Sequence, residues 1–205
     1  MSNYSKKNIK KDKTKLIEKI LKKRILYLDG AMGTMIQNLN LSESDFRGNI
    51  FNDHYKELKG NNDILSITQP ETIKNIHLSF LESGADIIET NTFNANRVSQ
   101  DDYALGDKTF DINLSSSKLA VECIKKFPSE NKPRFVAGVL GPTNKTLSIS
   151  PDITNPDYRS LYFDELVSVY QEALYGLIYG GCDIILIETI FDTLNAKSAI
   201  KATQN

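Results

Sequence analysis

The sequence predicts an α/β fold built on a parallel sheet. Three observations carry that expectation. Short apolar runs alternate with amphipathic helical stretches five times along the chain, and such alternation means parallel strands joined by crossover helices. Polar and glycine-rich residues cluster after the apolar runs, where parallel α/β proteins place their working edge. Two of the runs echo one another: Asp86-Ile87-Ile88-Glu89-Thr90-Asn91-Thr92-Phe93 and Asp183-Ile184-Ile185-Leu186-Ile187-Glu188-Thr189.

Each copy of the echo follows a glycine that can stop a helix, Gly84 or Gly181, and each runs from Asp through isoleucines to Glu-Thr. The second copy has two more residues between Asp and Glu. Side chains alternate along a strand, so a two-residue insertion preserves facing. Glu89 and Glu188 are therefore expected to point the same way. A carboxylate at the end of an apolar strand is costly to bury unless something there uses it. The pair marks a polar site at the strand ends.

The elements follow in order. Residues 1–24 hold ten Lys or Arg against Asp12 and Glu18, with Leu16, Ile17, Ile20 and Leu21 at helical spacing. They read as a basic tail leading into a first helix. Ile25-Leu26-Tyr27-Leu28 is the first strand, ending in Asp29-Gly30-Ala31-Met32-Gly33-Thr34, whose small residues permit a tight turn before a helix near Met35. Residues 42–62 form an irregular polar excursion. Asp63-Ile64-Leu65-Ser66-Ile67 is the second strand. Thr68-Gln69-Pro70-Glu71 has the form of a capping box with an early proline. The helix it opens has Ile73, Ile76, His77, Phe80 and Leu81 on its buried stripe, and His77 is a packed histidine rather than a ligand.

The first echo is the third strand, followed by a polar loop through Asp111 and a helix over residues 113–126. Arg134-Phe135-Val136-Ala137-Gly138-Val139-Leu140 is the fourth strand, ending in Gly141-Pro142-Thr143-Asn144. A long loop leads to a helix over 163–179, closed by Gly180-Gly181. The second echo is the fifth strand, and a last helix runs to Asn205.

Composition narrows the function classes. The 205 residues carry 25 basic and 26 acidic side chains, a formal net charge of -1, which gives no argument for nucleic-acid or membrane partners. No apolar run approaches the roughly 20 residues of a spanning helix. Two distant cysteines, Cys123 and Cys182, suggest packing rather than a disulfide framework, and a reducing, cytoplasmic setting is expected.

A closed (β/α)8 barrel needs eight strands and about 250 residues. Five units leave an open sheet or the first part of a barrel. A stop within a helix favours the second. The expectation is thus an incomplete (β/α)8 barrel of about five units, with residues 1–24 as a tail and 25–205 as the partial barrel domain.

Beyond these patterns, longer strings resemble a known family. Leu28-Asp29-Gly30-Ala31-Met32-Gly33-Thr34, Gly60-Asn61-Asn62-Asp63 and Gly84 to Phe93 are similar to the homocysteine-binding domain of the cobalamin-dependent methionine synthases. Gly138 to Asn144, Ser148-Ile149-Ser150-Pro151-Asp152 and Ile187 to Lys197 extend the likeness, in order, over about residues 24–203. The resemblance implies a methyltransferase barrel that binds homocysteine over the strand ends, holds its sulfur on zinc and methylates it from methylcobalamin. Methyltetrahydrofolate, cobalamin and S-adenosylmethionine belong to later modules.

Carried over by position, Asp29 and Glu188 are expected at the homocysteine ammonium, with Glu89 beside them and Gly30 among the substrate-binding residues. Thr90 and Asn91 are expected at its carboxylate. The family's zinc is held by three cysteines, to which neither Cys123 nor Cys182 corresponds. They are expected beyond Asn205, so no catalytic or metal-binding residue is assigned here. The fragment alone is expected to bind neither zinc nor cobalamin and to be inactive without its C-terminal half and the cobalamin and folate modules. Two alternatives are a thiol methyltransferase using betaine or S-methylmethionine, and a non-catalytic half-barrel acting as a binding partner.

Overall fold

The computed structural model describes residues 13–127 and 131–205. Most of the basic arm, residues 1–12, and Pro128 lie outside the described residues. Helices α1 (Thr14–Leu21), α2 (Met32–Asn38), α3 (Glu43–Arg47), α4 (Leu65–Thr68) and α5 (Pro70–Glu82) precede strand β1 (Ile87–Glu89). Helices α6 (Arg97–Gln100) and α7 (Thr109–Lys125) lead to β2 (Phe135–Leu140), α8 (Phe163–Gly180) to β3 (Ile184–Ile187), and α9 (Thr193–Gln204) follows.

The three strands are parallel and lie in chain order, β1-β2-β3. Glu89 pairs with Ala137, and Ala137 with Ile184. The predicted first strand is reduced to a single bridge, Leu28 to Ile87. The Tyr27 carbonyl accepts from the Asp86 and Ile87 amides, and the Asp29 amide donates to the Ile87 carbonyl. Residues 27–29 thus lie beside β1 as a fourth parallel position. Ile25, Tyr27 and Leu28 are exposed, so among the described residues no neighbour covers their far side.

The predicted second strand is a correction. Residues 62–68 are helical, a 3-10 turn (Asn62–Ile64) running into α4. Asp63, Ile64, Leu65 and Ser66 are all buried in succession. A short apolar run buried all round does not reveal its period, so strand and helix look alike in sequence. Among the described residues the expected five strand–helix units are therefore three strands and one bridged segment. The capping box at Thr68 does not form either: α5 starts on Gln69, which makes no side-chain cap, with Pro70 in the first turn. Further on, α7 begins four residues earlier than expected.

The helix stops behave as expected. Gly84 takes φ +104°; its amide bonds the Leu81 carbonyl and that of Ala85 bonds Phe80, a Schellman closure of α5. Gly181 does the same for α8 at φ +98°.

The helices pack on one side of the sheet. Ile88 and Val136 meet Leu81, Ala120 and Cys123 there, while Leu140, Ile185 and Ile187 meet α8 and α9. Glu89, Ala137, Val139, Leu186 and Glu188 share the opposite face by register and alternation. At the N-terminal ends of the strands, every aspartate has a cation. Arg24 grips Asp86 with two bonds of 2.7 and 2.9 Å, and Lys13 lies 3.0 Å from Asp183. Asp183 also accepts from the Val136 amide. The opening Asp of each echo is thus a structural staple between neighbouring strands.

Candidate functional site

At the C-terminal ends of the strands the chain forms a cleft of about 510 Å³, lined among others by Gly30, Asn62, Asp63, Glu89, Thr90, Asn91, Thr92, Asn94, Val139 and Glu188. That volume suits a small metabolite. Five segments build it: the turn after Leu28, the 60–63 approach to α4, the exit of β1, Val139 of β2, and the exit of β3.

The acids here contrast with those at the other end. Glu89 closes β1 and Glu188 follows β3, both half-buried. The Asp29 carboxylate accepts from the Glu89 amide at 2.9 Å, which ties the first turn to β1. Burial, then the charges of Glu89 and Glu188, push the Asp29 carboxyl up to about 7 against that bond. Glu89 also rises to about 7, from burial first and the Glu188 charge second. Burial raises Glu188 as well. Among the described residues no Lys or Arg forms an ion pair with any of the three. Glu89 and Glu188 line the cleft, with Asp29 behind them on the Glu89 amide, and partly dried carboxyls of this kind can accept hydrogen bonds from a cation such as an ammonium.

The backbone around these acids is unusual. Ala31, just past Gly30, has φ +53°, and Thr189, just past Glu188, has φ +54°. The left-handed turn thus falls on Ala31 rather than on Gly30 or Gly33. A β-branched residue such as Thr189 rarely adopts it, and such strain gathers at functional sites.

Thr90 and Asn91 line the cleft, but their side chains are already engaged. The Thr90 hydroxyl accepts from the Val139 amide at 3.0 Å and pairs with the Thr92 hydroxyl at 2.7 Å. Thr92 in turn bonds the Val139 carbonyl. Asn91 donates through Nδ2 to the Asn62 carbonyl at 2.7 Å and to Ser66 Oγ at 3.2 Å. Both residues hold the shape of the wall.

Asp63 is a wall residue that the sequence did not mark as one. It is buried, and burial pushes its carboxyl up to about 7. The string Gly60-Asn61-Asn62-Asp63 signalled it, as a polar run ahead of an apolar one, but a strand reading gave Asp63 no place to point.

The loop facing β3 is fixed by Asp192 and Asn195. Asp192 caps α9 and accepts from the Ser148 amide and hydroxyl, each at 2.8 Å. Asn195 bonds the Leu147 amide and the Lys145 carbonyl. On the other side, Gly141 passes so close to the Phe93 carbonyl that a Cβ would collide with it.

Among the described residues no group of three His, Cys, Asp or Glu side chains could hold a metal. Cys123 is buried beneath α5 and its thiol is pushed up to about 11. Cys182 packs on the helix side of the sheet beside Gly138. His77 is fully buried, its ring nitrogens have no hydrogen-bond partner among the described residues, and burial pushes it down to about 4. None of the three belongs to the cleft, and the described residues do not fit a zinc centre.

Comparison with solved structures gives the fold a context. The homocysteine methyltransferase MmuM from Escherichia coli superposes in its oxidized form with a TM-score of 0.69 at 20% identity, over 92% of this chain and 61% of that one. Its metallated form gives 0.68 at 19%, over 92% and 62%. The apo form gives 0.61 at 18%, over 90% and 57%. At this identity the likeness is one of fold, and this chain spans about three-fifths of the length of those relatives. The family model described as homocysteine S-methyltransferase matches residues 26–205, nearly the whole chain, and the protein belongs to that family.

Proposed function

We propose that the cleft binds the amino-acid head of homocysteine, and that the chain is the homocysteine-binding part of a cobalamin-dependent methionine synthase. The observation that carries the first half is the placing of Glu89 and Glu188 on the cleft wall, with Asp29 bonded to the Glu89 amide and no counter-cation among the described residues. The second half rests on the ordered strings from Leu28 to Lys197, which resemble that enzyme more than its betaine- or S-methylmethionine-dependent relatives. A partial barrel is supported by the sequential order of residues 27–29, β1, β2 and β3 with helices on one side. Folate and cobalamin modules, and a cytoplasmic setting, belong to the same reading.

In this reading Glu89 and Glu188 accept hydrogen bonds from the ammonium, and Asp29 supports them through the Glu89 amide. The cation replaces the protons that otherwise relieve the crowded acids, so binding releases protons to solvent. The wall of Thr90, Asn91 and Thr92 keeps the acids in register. The described residues supply the amino-acid end of the site and nothing at the sulfur.

Calorimetry of L-homocysteine binding, with 4-mercaptobutyrate as the analogue lacking the amino group, tests the reading. Charged hydrogen bonds of this kind are worth roughly 1.5–3 kcal/mol, so Glu188→Gln should weaken binding by about tenfold or more. The analogue should suffer a similar loss in the wild type. Equal binding of both ligands to both proteins would end the proposal. The donor is tested in a barrel completed with its remaining strands: methyl transfer from methylcobalamin is expected, and transfer from betaine or S-methylmethionine instead would reassign it.

A further inference from the structure

The buried acid at the back of the cleft has no role in cation binding as described, yet it touches the loop that forms the wall. Asp63 Oδ1 accepts the Asn94 amide at 3.0 Å. The Asn94 carbonyl accepts from Gln100 Nε2 at 3.2 Å. One residue of the β1 exit loop is therefore held on both sides of its backbone, by two buried side chains.

Those side chains are themselves locked. Gln100 and Asn61 exchange amide bonds, Asn61 Nδ2 to Gln100 Oε1 at 2.8 Å and Gln100 Nε2 to Asn61 Oδ1 at 3.2 Å. Gln100 Nε2 also faces Asp63 Oδ2 at 3.5 Å. Gln100 cannot flip without losing its bonds to Asn61 and Asn94 together. Asn61, Asp63 and Gln100 are all 4% exposed or less. A buried polar network this fully satisfied fixes one geometry. The helical turn at Asn62–Ile64 is what aims Asp63 at the loop; a strand there would alternate its side chains between two faces.

We propose that Asp63 and Gln100 are positioning residues for ligand binding: they clamp the Asn94 backbone and so hold the β1 exit loop, with Asn91 and Thr92, in its binding shape. The inference rests on the reading of the cleft as a homocysteine site, but the clamp has a readout of its own. Asp63→Ala leaves the Asn94 amide without its acceptor. Asp63→Leu also removes the acceptor while filling the space of the side chain, and it serves if the alanine variant does not fold.

Amide hydrogen exchange on the full chain reads the clamp directly. Removing an ionisable acceptor should speed exchange at Asn94 by about tenfold, with the α5 and α7 amides unchanged. A merely structural loss would speed exchange across those helices too. L-homocysteine should bind about tenfold more weakly to the variant and, at saturation, restore protection at Asn94. Unchanged exchange at Asn94 overturns the clamp. Faster exchange with unchanged homocysteine affinity overturns its positioning role. If the wild type itself binds no homocysteine, the functional reading falls instead, and the exchange data alone decide the clamp.

Discussion

Asp192→Ala tests how the 143–148 loop and the start of α9 are held. Asp192 is 5% exposed. It receives four donors: Leu194 N at 2.8 Å, Asn195 N at 3.4 Å, and Ser148 N and Oγ, both at 2.8 Å. The first two cap α9, and losing a cap of this type costs about 1 kcal/mol. The other two fasten the 143–148 loop to the β3 exit, and each charge-assisted bond adds about 1.5 kcal/mol when lost, the low end of the range for charged groups. The sum is about 4 kcal/mol. For a 205-residue chain, 1 kcal/mol moves Tm by roughly 2–4 °C, so the variant should melt about 8–16 °C lower by circular dichroism. Asp192→Asn retains a good capping side chain and should lose about a third of that. Burial alone would raise the Asp192 carboxyl. The bonds from Ser148, Leu194 and Asn195 outweigh it and hold the carboxyl below its usual range. Its contribution is therefore complete above about pH 4 and lost as pH falls through the lower, folded value. The wild-type advantage should shrink in acid. Equal melting of wild type and Asp192→Ala at pH 7 would refute the accounting, and an advantage that grows in acid would refute the sign.

Two further outcomes depend on pH. His77, pushed down to about 4 by burial, is neutral in the fold but takes up a proton near 6.5 once unfolded, so it costs stability as pH drops from about 6.5 towards 4. His77→Leu should gain more in urea unfolding at pH 5 than at pH 8, and a pH-independent difference would count against this. Asp29 and Glu89, both raised to about 7, act in the opposite sense. Their contribution is complete below about pH 4 and declines as pH rises through 7 in the ligand-free protein. Homocysteine binding should accordingly tighten from pH 5 to pH 8 with proton release. Calorimetry in two buffers of different ionisation enthalpy would detect that release, and identical heats would contradict it.

Much of this was legible in the sequence. The echoed Asp-to-Glu runs placed β1 and β3, the glycines at 84 and 181 marked the helix stops, and the two-residue offset predicted that Glu89 and Glu188 share a face, as the register has it. These are local signals, because strand alternation and left-handed glycines act within a few residues. The sequence also offered the Asp63–Ile67 run, but it could not decide that run's period. Packing decided it, by burying Asp63, Ile64, Leu65 and Ser66 on all sides. Likewise only the tertiary structure separated the acids into two kinds. Asp86 and Asp183 meet cations from distant segments, Arg24 and Lys13, whereas Asp29, Glu89 and Glu188 meet no cation among the described residues. Composition fixes how many charges a chain carries; which of them are neutralised depends on neighbours brought in from far along the chain.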